Sequence, residues 1–428
     1  MSLKYYKLSD ICDIEKGKTG ISQAVKGQYP LIATAEEFKS SNTFDFDCKA
    51  VCIPLVSSTG HGHASINRLH YYDGKFALGT ILAKMTSKDE ELLDTKYLYI
   101  YLSFFKDEVL VPLMKGSANV SLTITSLSSL EIPVPRIDTQ KKIKELYLNV
   151  NPLSILVNKE HENQFDNIPK LREKVLDLAF RGLLVPQSQN DENAMILLEK
   201  IEKEKSRLIK EKVIKKSKPL APIKDEDMAF EIPDSWQWVR LGDLGEIIGG
   251  GTPDTNVKEY WEDGDIPWLT PADLNGFTAK YISKGRRNIT KLGLQSSSAR
   301  LLSKGSVLFS SRAPIGYVAI AENDLATNQG FKSCTTYILD MNEYIYYFLM
   351  YDAERINANA SGTTFKEVSG KVVSNILVPL PALEEQKRIT KRIAEVLELC
   401  DELEVMINNS QKCSQLLIKS VLKEIFKH

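Results

Sequence analysis

The chain has 428 residues, a formal net charge of −1, 43% hydrophobic residues and 26% charged residues, the composition of a globular protein with room for about two or three cores. A neutral total excludes a polyanion partner held by overall charge alone, and no apolar run approaches the length of a membrane span. The opening Met1-Ser2-Leu3-Lys4-Tyr5-Tyr6 lacks an apolar signal region and the six cysteines are scattered, so a cytoplasmic protein with reduced thiols is expected.

Up to about Arg136 the sequence alternates short β-rich runs, such as Ala50-Val51-Cys52-Ile53-Pro54-Leu55-Val56, with Gly, Asn, Asp and Ser. Cys48, Cys52, His61 and His63 put four metal-type ligands within sixteen residues. Their spacing is not that of a zinc finger, and the corresponding later loop Ser310-Ser311-Arg312-Ala313-Pro314-Ile315-Gly316 offers no ligands. Cysteines on a buried strand and histidines in a polar loop are therefore expected, with no metal.

The run Leu130-Glu131-Ile132-Pro133-Val134-Pro135 forces an extended segment, and Gln140-Lys141-Lys142-Ile143 begins a helix. Ile143, Tyr147, Val150, Ser154 and Val157 follow a 4-3-4-3 spacing, the seam of a helix that needs a partner helix. A separate helix is expected from Pro169 to Arg181, closed by Gly182 as its C′ residue. Asp191 is the expected cap of a polar helix reaching about Lys216, and Pro219 and Pro222 open a linker to about Pro233.

Much of this then recurs. Residues 116–180 reappear as 362–426 at a constant offset of 246 residues without a gap, pairing Pro133 with Pro379, Val150 with Val396, and Val175-Leu176 with Val421-Leu422. A period this long makes the repeated unit a domain with its following helix, not a solenoid repeat. The openings correspond at an offset of 233: Leu8-Ser9-Asp10-Ile11, Gly17 and Thr19 match Leu241-Gly242-Asp243-Leu244, Gly250 and Thr252, so the second copy carries thirteen more loop residues. Its helix repeats the seam as Ile389, Ile393, Val396, Cys400, Leu403 and Ile407, and a further helix is expected from Gln411 to Lys427. The economical partner of each seam helix is the other, antiparallel about a pseudo-twofold axis.

Residues 276–312 contain Lys280, Lys284, Arg286, Arg287, Lys291, Arg300, Lys304 and Arg312 and no Asp or Glu. Such a segment can neutralise phosphates even in a neutral chain, or be offset by acids from elsewhere. Catalytic patterns are absent. Gly249-Gly250-Gly251-Thr252-Pro253 lacks the P-loop lysine, and neither Asn-Pro-Pro-Tyr nor Asp-Pro-Pro-Tyr, the usual marks of amino-methyltransferases, occurs.

A β-rich domain, a Pro-x-Pro element with its glutamine and helix, and a repeat of the same together resemble the specificity subunit of type I restriction-modification enzymes. Leu171-Arg172-Glu173-Lys174-Val175-Leu176-Asp177-Leu178-Ala179-Phe180-Arg181-Gly182-Leu183-Leu184-Val185-Pro186-Gln187 resembles that family's central region, and Trp236-Gln237-Trp238-Val239-Arg240-Leu241-Gly242 the opening of a target recognition domain. The resemblance implies an α+β chain with two β-rich target recognition domains separated by two long antiparallel helices in a pseudo-twofold repeat. It places a first recognition domain at 1–137, a helical region at 138–218, a linker at 219–234, a second recognition domain at 235–382 and a second helical region at 383–428.

The implied function is non-catalytic reading of a bipartite, asymmetric site in double-stranded DNA. The implied partners are two modification (methyltransferase) subunits and, in a cleaving system, two restriction subunits, with no membrane. S-adenosylmethionine, ATP and Mg belong to those partners, and no cofactor to this chain. The competing readings are a stand-alone DNA-binding regulator and a self-sufficient nuclease or methyltransferase. The candidate DNA contacts are His61, His63, Arg68 and Lys84 in the first domain and Lys280, Lys284, Arg286, Arg287 and Arg312 in the second. A helix of about 25 residues would span roughly 38 Å, close to one turn of duplex.

Overall fold

The computed structural model describes residues 4–59, 62–117, 120–312, 314–358, 360 and 367–425. Its contacts divide the chain into two units, Met1–Asn163 with Ile407–His428, and Gln164–Met406.

The first unit is built on a six-stranded sheet in the order β2-β7-β5-β6-β3-β4, and a separate ribbon pairs β1 with β8. The strands are β1 (Lys4–Lys7), β2 (Cys12–Lys16), β3 (Tyr29–Ile32), β4 (Lys39–Ser41), β5 (Phe46–Pro54), β6 (His70–Leu78), β7 (Leu82–Ser87) and β8 (Glu131–Val134). Val51, Cys52 and Ile53 of β5 are all fully buried, because this strand is covered on both faces and a continuous apolar run suits it better than alternation. Val51, Ile53, Ala83 and Met85 pack with the helix Thr95–Val109 through Tyr97, Leu98 and Tyr101. Ala50, Cys52, Phe76, Leu78 and Leu82 form a second cluster. The Asp94 carboxylate caps that helix by accepting from the backbone of Lys96 and Tyr97 at 2.8 and 3.0 Å.

In the second unit β9 (Gln237–Arg240) pairs with β19 (Leu377–Leu380), as β1 pairs with β8. Between them lie β10 (Gly245–Gly249), β11 (Ile266–Leu269), β12 (Tyr281–Ile282), β13 (Arg287–Ile289), β14 (Leu301–Leu302), β15 (Val307–Phe309), β16 (Val318–Ala321), β17 (Leu325–Thr327) and β18 (Lys332–Thr336). They form two sheets, β10-β18-β15-β16-β12 and β13-β11-β17-β14. The connections match the first unit. β10 lies antiparallel to β18 as β2 does to β7, and β11 lies parallel to β17 as β3 does to β6. In the first unit β6 pairs with both β5 and β3; in the second that role is divided between β16, which pairs with β15, and β17, which pairs with β11. Splitting one strand into two opens one sheet into two.

The Pro-x-Pro element becomes a strand in each unit, and the glutamine after it locks that strand to the helix. Gln140 is fully buried: its Nε2 donates to the carbonyls of Leu92 and Pro135 at 2.8 Å, and its Oε1 accepts from the Asp94 backbone at 2.8 Å. Gln386 repeats the bond to Pro381 at 3.0 Å, but its buried Oε1 has no partner among the described residues.

The expectation of two helices in each half is overturned. Ile137–Phe180 is one helix of 44 residues and Leu383–Ile425 one of 43, so Pro169 and Gln411 lie within helices and Pro152 also falls inside the first. The length estimate made for a 25-residue helix does not carry over. Lys427 and Phe426 lie outside the described residues, as does Gly362. Gly182 does close the first helix: its φ is +71°, Leu183 N donates to Leu178 O, and Gly182 N donates to Ala179 O, a Schellman pair.

Within the second unit Phe180 shares a core with Ile389 and Ile393, while Arg172, eight residues earlier, reaches Asp401 and Glu404 at 2.6 and 3.1 Å. The partner number rises as the first helix is traced backwards, so these segments run antiparallel. Two expected seam positions are corrected. Leu403 is 39% exposed and the half-buried Glu404 takes its place; Val157 is 36% exposed and Asn158 replaces it. Both shifts occur at the same point of the repeat. An α-helix of 3.6 residues per turn drifts from a 3.5-residue pattern, and one four-residue step restores the facing side. In the first unit the seam continues through His161, 7% exposed, which meets Ser410 at 3.1 Å.

Asp191 is not the cap of the central helix. Asn193 caps Ala194–Lys210, and Asp191 instead accepts from both terminal nitrogens of Arg388 at 2.9 and 2.5 Å. The linker is docked onto the second unit: Arg240 donates to the carbonyls of Ala221 and Pro222 as well as to Asn375. Arg240 also borders an open cavity of about 530 Å³ shared with Asp227, Asp352, Arg355 and Lys371.

Candidate nucleic-acid interface

Each sheet has an end where loops gather over a glycine. After β2, Gly17 lies under the β6 terminus so closely that a Cβ there would stand 2.2 Å from the Gly79 carbonyl oxygen. After β10, Gly250 has the same relation to the Asn328 carbonyl oxygen, at 2.1 Å. Only glycine allows this approach. The duplicated Gly17/Gly250 and Thr19/Thr252 of the sequence thus mark one structural position in two units.

In the second unit four loops meet there. Gly251 N donates to Thr327 O, Asn328 N to Leu269 O, Ser311 N to Gly330 O, and Val368 N to Ser311 O, at 2.7 to 2.9 Å. These bonds fix the backbone and leave a polar rim. Thr252 Oγ1 donates to Gln329 Oε1 at 2.6 Å, Lys332 Nζ donates to the Gln329 carbonyl at 3.1 Å, and Tyr317 OH donates to Asn275 Oδ1 at 3.3 Å. Arg312 and Lys332 share Glu367, at 3.2 and 3.7 Å.

The nominated residues of this unit fall in different places. Arg312 is on the rim. Arg286 is 80% exposed, its backbone N–H held by Asp273 at 3.0 Å beside the loop after β11. Arg287 stacks on Trp261 with its guanidinium carbon 3.6 Å from the ring centroid, and Trp261 meets Trp268 edge-on. Lys284 is exposed. Lys280 is not brought to the rim: it is tied to Glu343 at 3.1 Å, at the start of the helix Asn342–Ala358. Burial disfavours its ammonium, yet Tyr347 and Glu343 hold its pKa above the ordinary lysine value. The acid-free run is therefore answered from outside itself, Arg300 by Glu246, Lys280 by Glu343, Arg286 by Asp273 and Arg312 by Glu367.

In the first unit Thr19 Oγ1 donates to Asp45 at 2.8 Å, and the same carboxylate oxygen accepts from Leu78 N. The loop after β5 is lined with hydroxyls: Ser57 donates to the His63 carbonyl and accepts from Ser65 N, and Thr59 meets Ser65 at 2.9 Å. His63 is exposed on this loop, and Arg68 pairs with Glu36 at 2.9 Å. His61 lies outside the described residues. Lys84 is corrected. It is 7% exposed, sits on β7 and is bound to Glu15 of β2 at 3.0 Å, so it joins two strands instead of facing a ligand. Cys52 is buried on β5, and Cys48 contacts Thr86 at 3.5 Å.

Thr252, Asn275, Tyr317, Gln329 and Lys332 were not nominated from the sequence. The signal existed in part. The match of Gly250 and Thr252 to Gly17 and Thr19 marks the position without assigning it a ligand, and Asn328-Gln329-Gly330 is a polar turn whose position over Gly250 depends on strand pairing.

Two loop-faced domains of one topology, each locked by a buried glutamine to a long helix, define a duplicated recognition architecture. The chain belongs to the family described as the type I restriction modification DNA specificity domain, which matches residues 2–150 and 233–410. It is 42% identical over 200 residues to the MjaIX specificity subunit of Methanocaldococcus jannaschii, covering 46% of this chain and 44% of that one. Against the EcoAI specificity subunit of Escherichia coli it is 30% identical over 270 residues, 60% of this chain and 44% of the relative. The chain thus spans less than half the length of these two relatives. The EcoDI specificity subunit of Escherichia coli aligns at 23% identity over 433 residues, 99% of this chain and 88% of the relative. Among solved structures, a chain of a type I R-M system assembly shares the fold with a TM-score of 0.64 at 16% identity, covering 100% of this chain and 99% of that one. The HsdS subunit from Thermoanaerobacter tengcongensis gives 0.51 at 16% identity, covering 99% and 96%.

Proposed function

We propose that this chain is the DNA-reading, non-catalytic subunit of a type I restriction-modification complex. Each β-rich domain reads one half of a bipartite, asymmetric site, and the long helices hold the modification subunits. The observation that carries this reading is the duplication of the loop face, with the same glycine pivot and corresponding β2–β7/β10–β18 and β3–β6/β11–β17 pairings in two domains whose rims differ in chemistry. The equivalent loops both open with two serines, Ser57-Ser58 and Ser310-Ser311, but the first continues through Thr59 and His63 and the second through Arg312 paired with Glu367, which supports two different half-sites.

The helices support the partner role. In the first unit Leu148, Leu153, Ile155, Leu156, Leu416 and Leu417 are all more than half exposed, as are Leu399, Val405 and Met406 in the second. Apolar side chains concentrated on a helix surface mark a surface that a partner covers. Two such helical stretches support two modification subunits per chain, with S-adenosylmethionine, ATP and Mg bound by the partners and the complex acting in the cytoplasm.

Co-expression with the modification subunit of the same system, followed by genome-wide methylation mapping, tests the reading. A gapped, asymmetric motif that disappears when this chain is omitted is the expected result. Methylation that persists unchanged without the chain would refute it, and a purified complex with one modification subunit per chain would refute the stoichiometry.

A further inference from the structure

Resting on that function, we infer that Gln329, oriented by Thr252, reads one adenine of the half-site met by the second unit, while Arg312 and Lys332 hold the adjoining phosphates. Gln329 is exposed, yet its side chain is already restrained. The Thr252 hydroxyl donates to Oε1 at 2.6 Å, and either orientation of the amide against a hydroxyl leaves one donor and one acceptor for a ligand. The backbone beneath is fixed as well: Lys332 Nζ donates to the Gln329 carbonyl, Asn328 N to the Leu269 carbonyl, and Gly330 N to Asn328 Oδ1. Holding a long polar side chain in one orientation before a ligand arrives lowers the entropy lost on binding.

The chemistry of the held amide follows. Nε2 donates to no described residue, and Oε1 retains one lone pair after accepting from Thr252. Gln329 therefore presents a donor beside an acceptor. In the major groove adenine offers the complement, an N7 acceptor beside an N6 donor; guanine offers two acceptors and cytosine a donor. Near the amide two cations, Arg312 and Lys332, both pair with Glu367, and side chains of this kind hold phosphates.

The test uses the full chain co-expressed with its modification subunit, with methylation mapped for wild type, Q329E and T252V. Glutamate keeps the shape of the side chain and an acceptor for Thr252 but replaces the donor by a second acceptor, the complement of cytosine N4. For Q329E the preference for adenine should fall about tenfold to a hundredfold at one position of one half-site, with cytosine gaining there. The other half-site and the gap should not change. T252V, which releases the amide without altering charge, should weaken the same position by a smaller factor and create no new preference. Thermal unfolding verifies that the variants are folded; Q329M, which has no hydrogen-bonding group, replaces Q329E if that variant is not. Folded variants that keep the wild-type motif, or that lose methylation evenly at every position, would overturn the inference. If the wild-type complex itself directed no sequence-specific methylation, the recognition function would fall and this inference with it, a result read from the wild type alone.

Discussion

Single residues already separate structural from reactive roles. Burial pushes the Cys12 and Cys334 thiols up to about 12, and Cys52 higher still, whereas Cys413 is exposed on the second long helix. Thiolate is the reactive form, so in native protein an alkylating reagent should modify Cys413 first, with Cys12, Cys52 and Cys334 reacting only on unfolding. Peptide mass spectrometry after timed labelling reads this order. The two locking glutamines should differ in cost. Gln140→Ala removes three hydrogen bonds to part-buried backbone groups and should lose on the order of 3 kcal/mol, whereas Gln386→Ala removes one and should lose about 1 kcal/mol. Denaturant midpoints of the two variants check the difference. Arg388 holds the Asp191 carboxyl below the ordinary aspartate value of 3.8, with burial opposing. Since folding lowers this pKa, the bridge stabilises the second unit above that value and is lost as pH falls through the depressed folded one. Asp191→Asn should therefore lower the unfolding midpoint at neutral pH and have progressively less effect in acid.

At the scale of elements, the long helices show what periodicity conveys and what it misses. Apolar spacing found the inward faces of the long helices, with Ile143 buried in the first unit's core, Ile389 and Ile393 in the second's, and Cys400 and Ile407 also buried. The one-residue shift to Asn158 and Glu404 was not legible, because a heptad written forward from an apolar residue favours Val157 and Leu403 even where the helix has turned them outward. Pro169 misled for a related reason: proline disfavours a helix interior locally, but packing along the rest of the helix outweighs that cost. The polar layer at His161 gives a test. Among the described residues its Nδ1 and Asn158 Oδ1 are buried without partners, and the contact with Ser410 is the hydrogen bond that the His161 ring makes. Ser410→Ala alone should cost about 1 kcal/mol, and adding His161→Leu should recover that loss or exceed it, since removing both polar partners together leaves neither of that pair unsatisfied. A double-mutant cycle by thermal unfolding decides it.

At the scale of the whole molecule, the proposed function makes recognition by domains and separation by helices two properties that mutation should separate. Inserting seven residues into each long helix, between the levels of His161–Ser410 and Arg172–Asp401, preserves the seam and adds about 10 Å, roughly three base pairs. Both half-sites should survive while the gap between them grows. Replacing residues 1–135 by another member's first domain should change one half-site alone, and methylation mapping of the two proteins distinguishes these outcomes. Binding of the modification subunit should also protect Cys413 from alkylation. The duplicated plan was legible because proline, glycine and glutamine impose backbone demands wherever they stand. The rim was not, because Thr252 meets Gln329 and Lys332 only through the pairing of β10 with β18.

The ribbons that pair β1 with β8 and β9 with β19 bring the first and last strands of each domain side by side, with Tyr5 opposite Pro133 and Trp238 opposite Pro379. A crossover between two such genes near the codons of those strands would deliver a domain with its core complete, its two ends already adjacent and its glutamine latch waiting in the recipient helix. Under the proposed function such an exchange would change one half-site in a single event, and the unit of inheritance for specificity would be the gene segment, not the individual side chain.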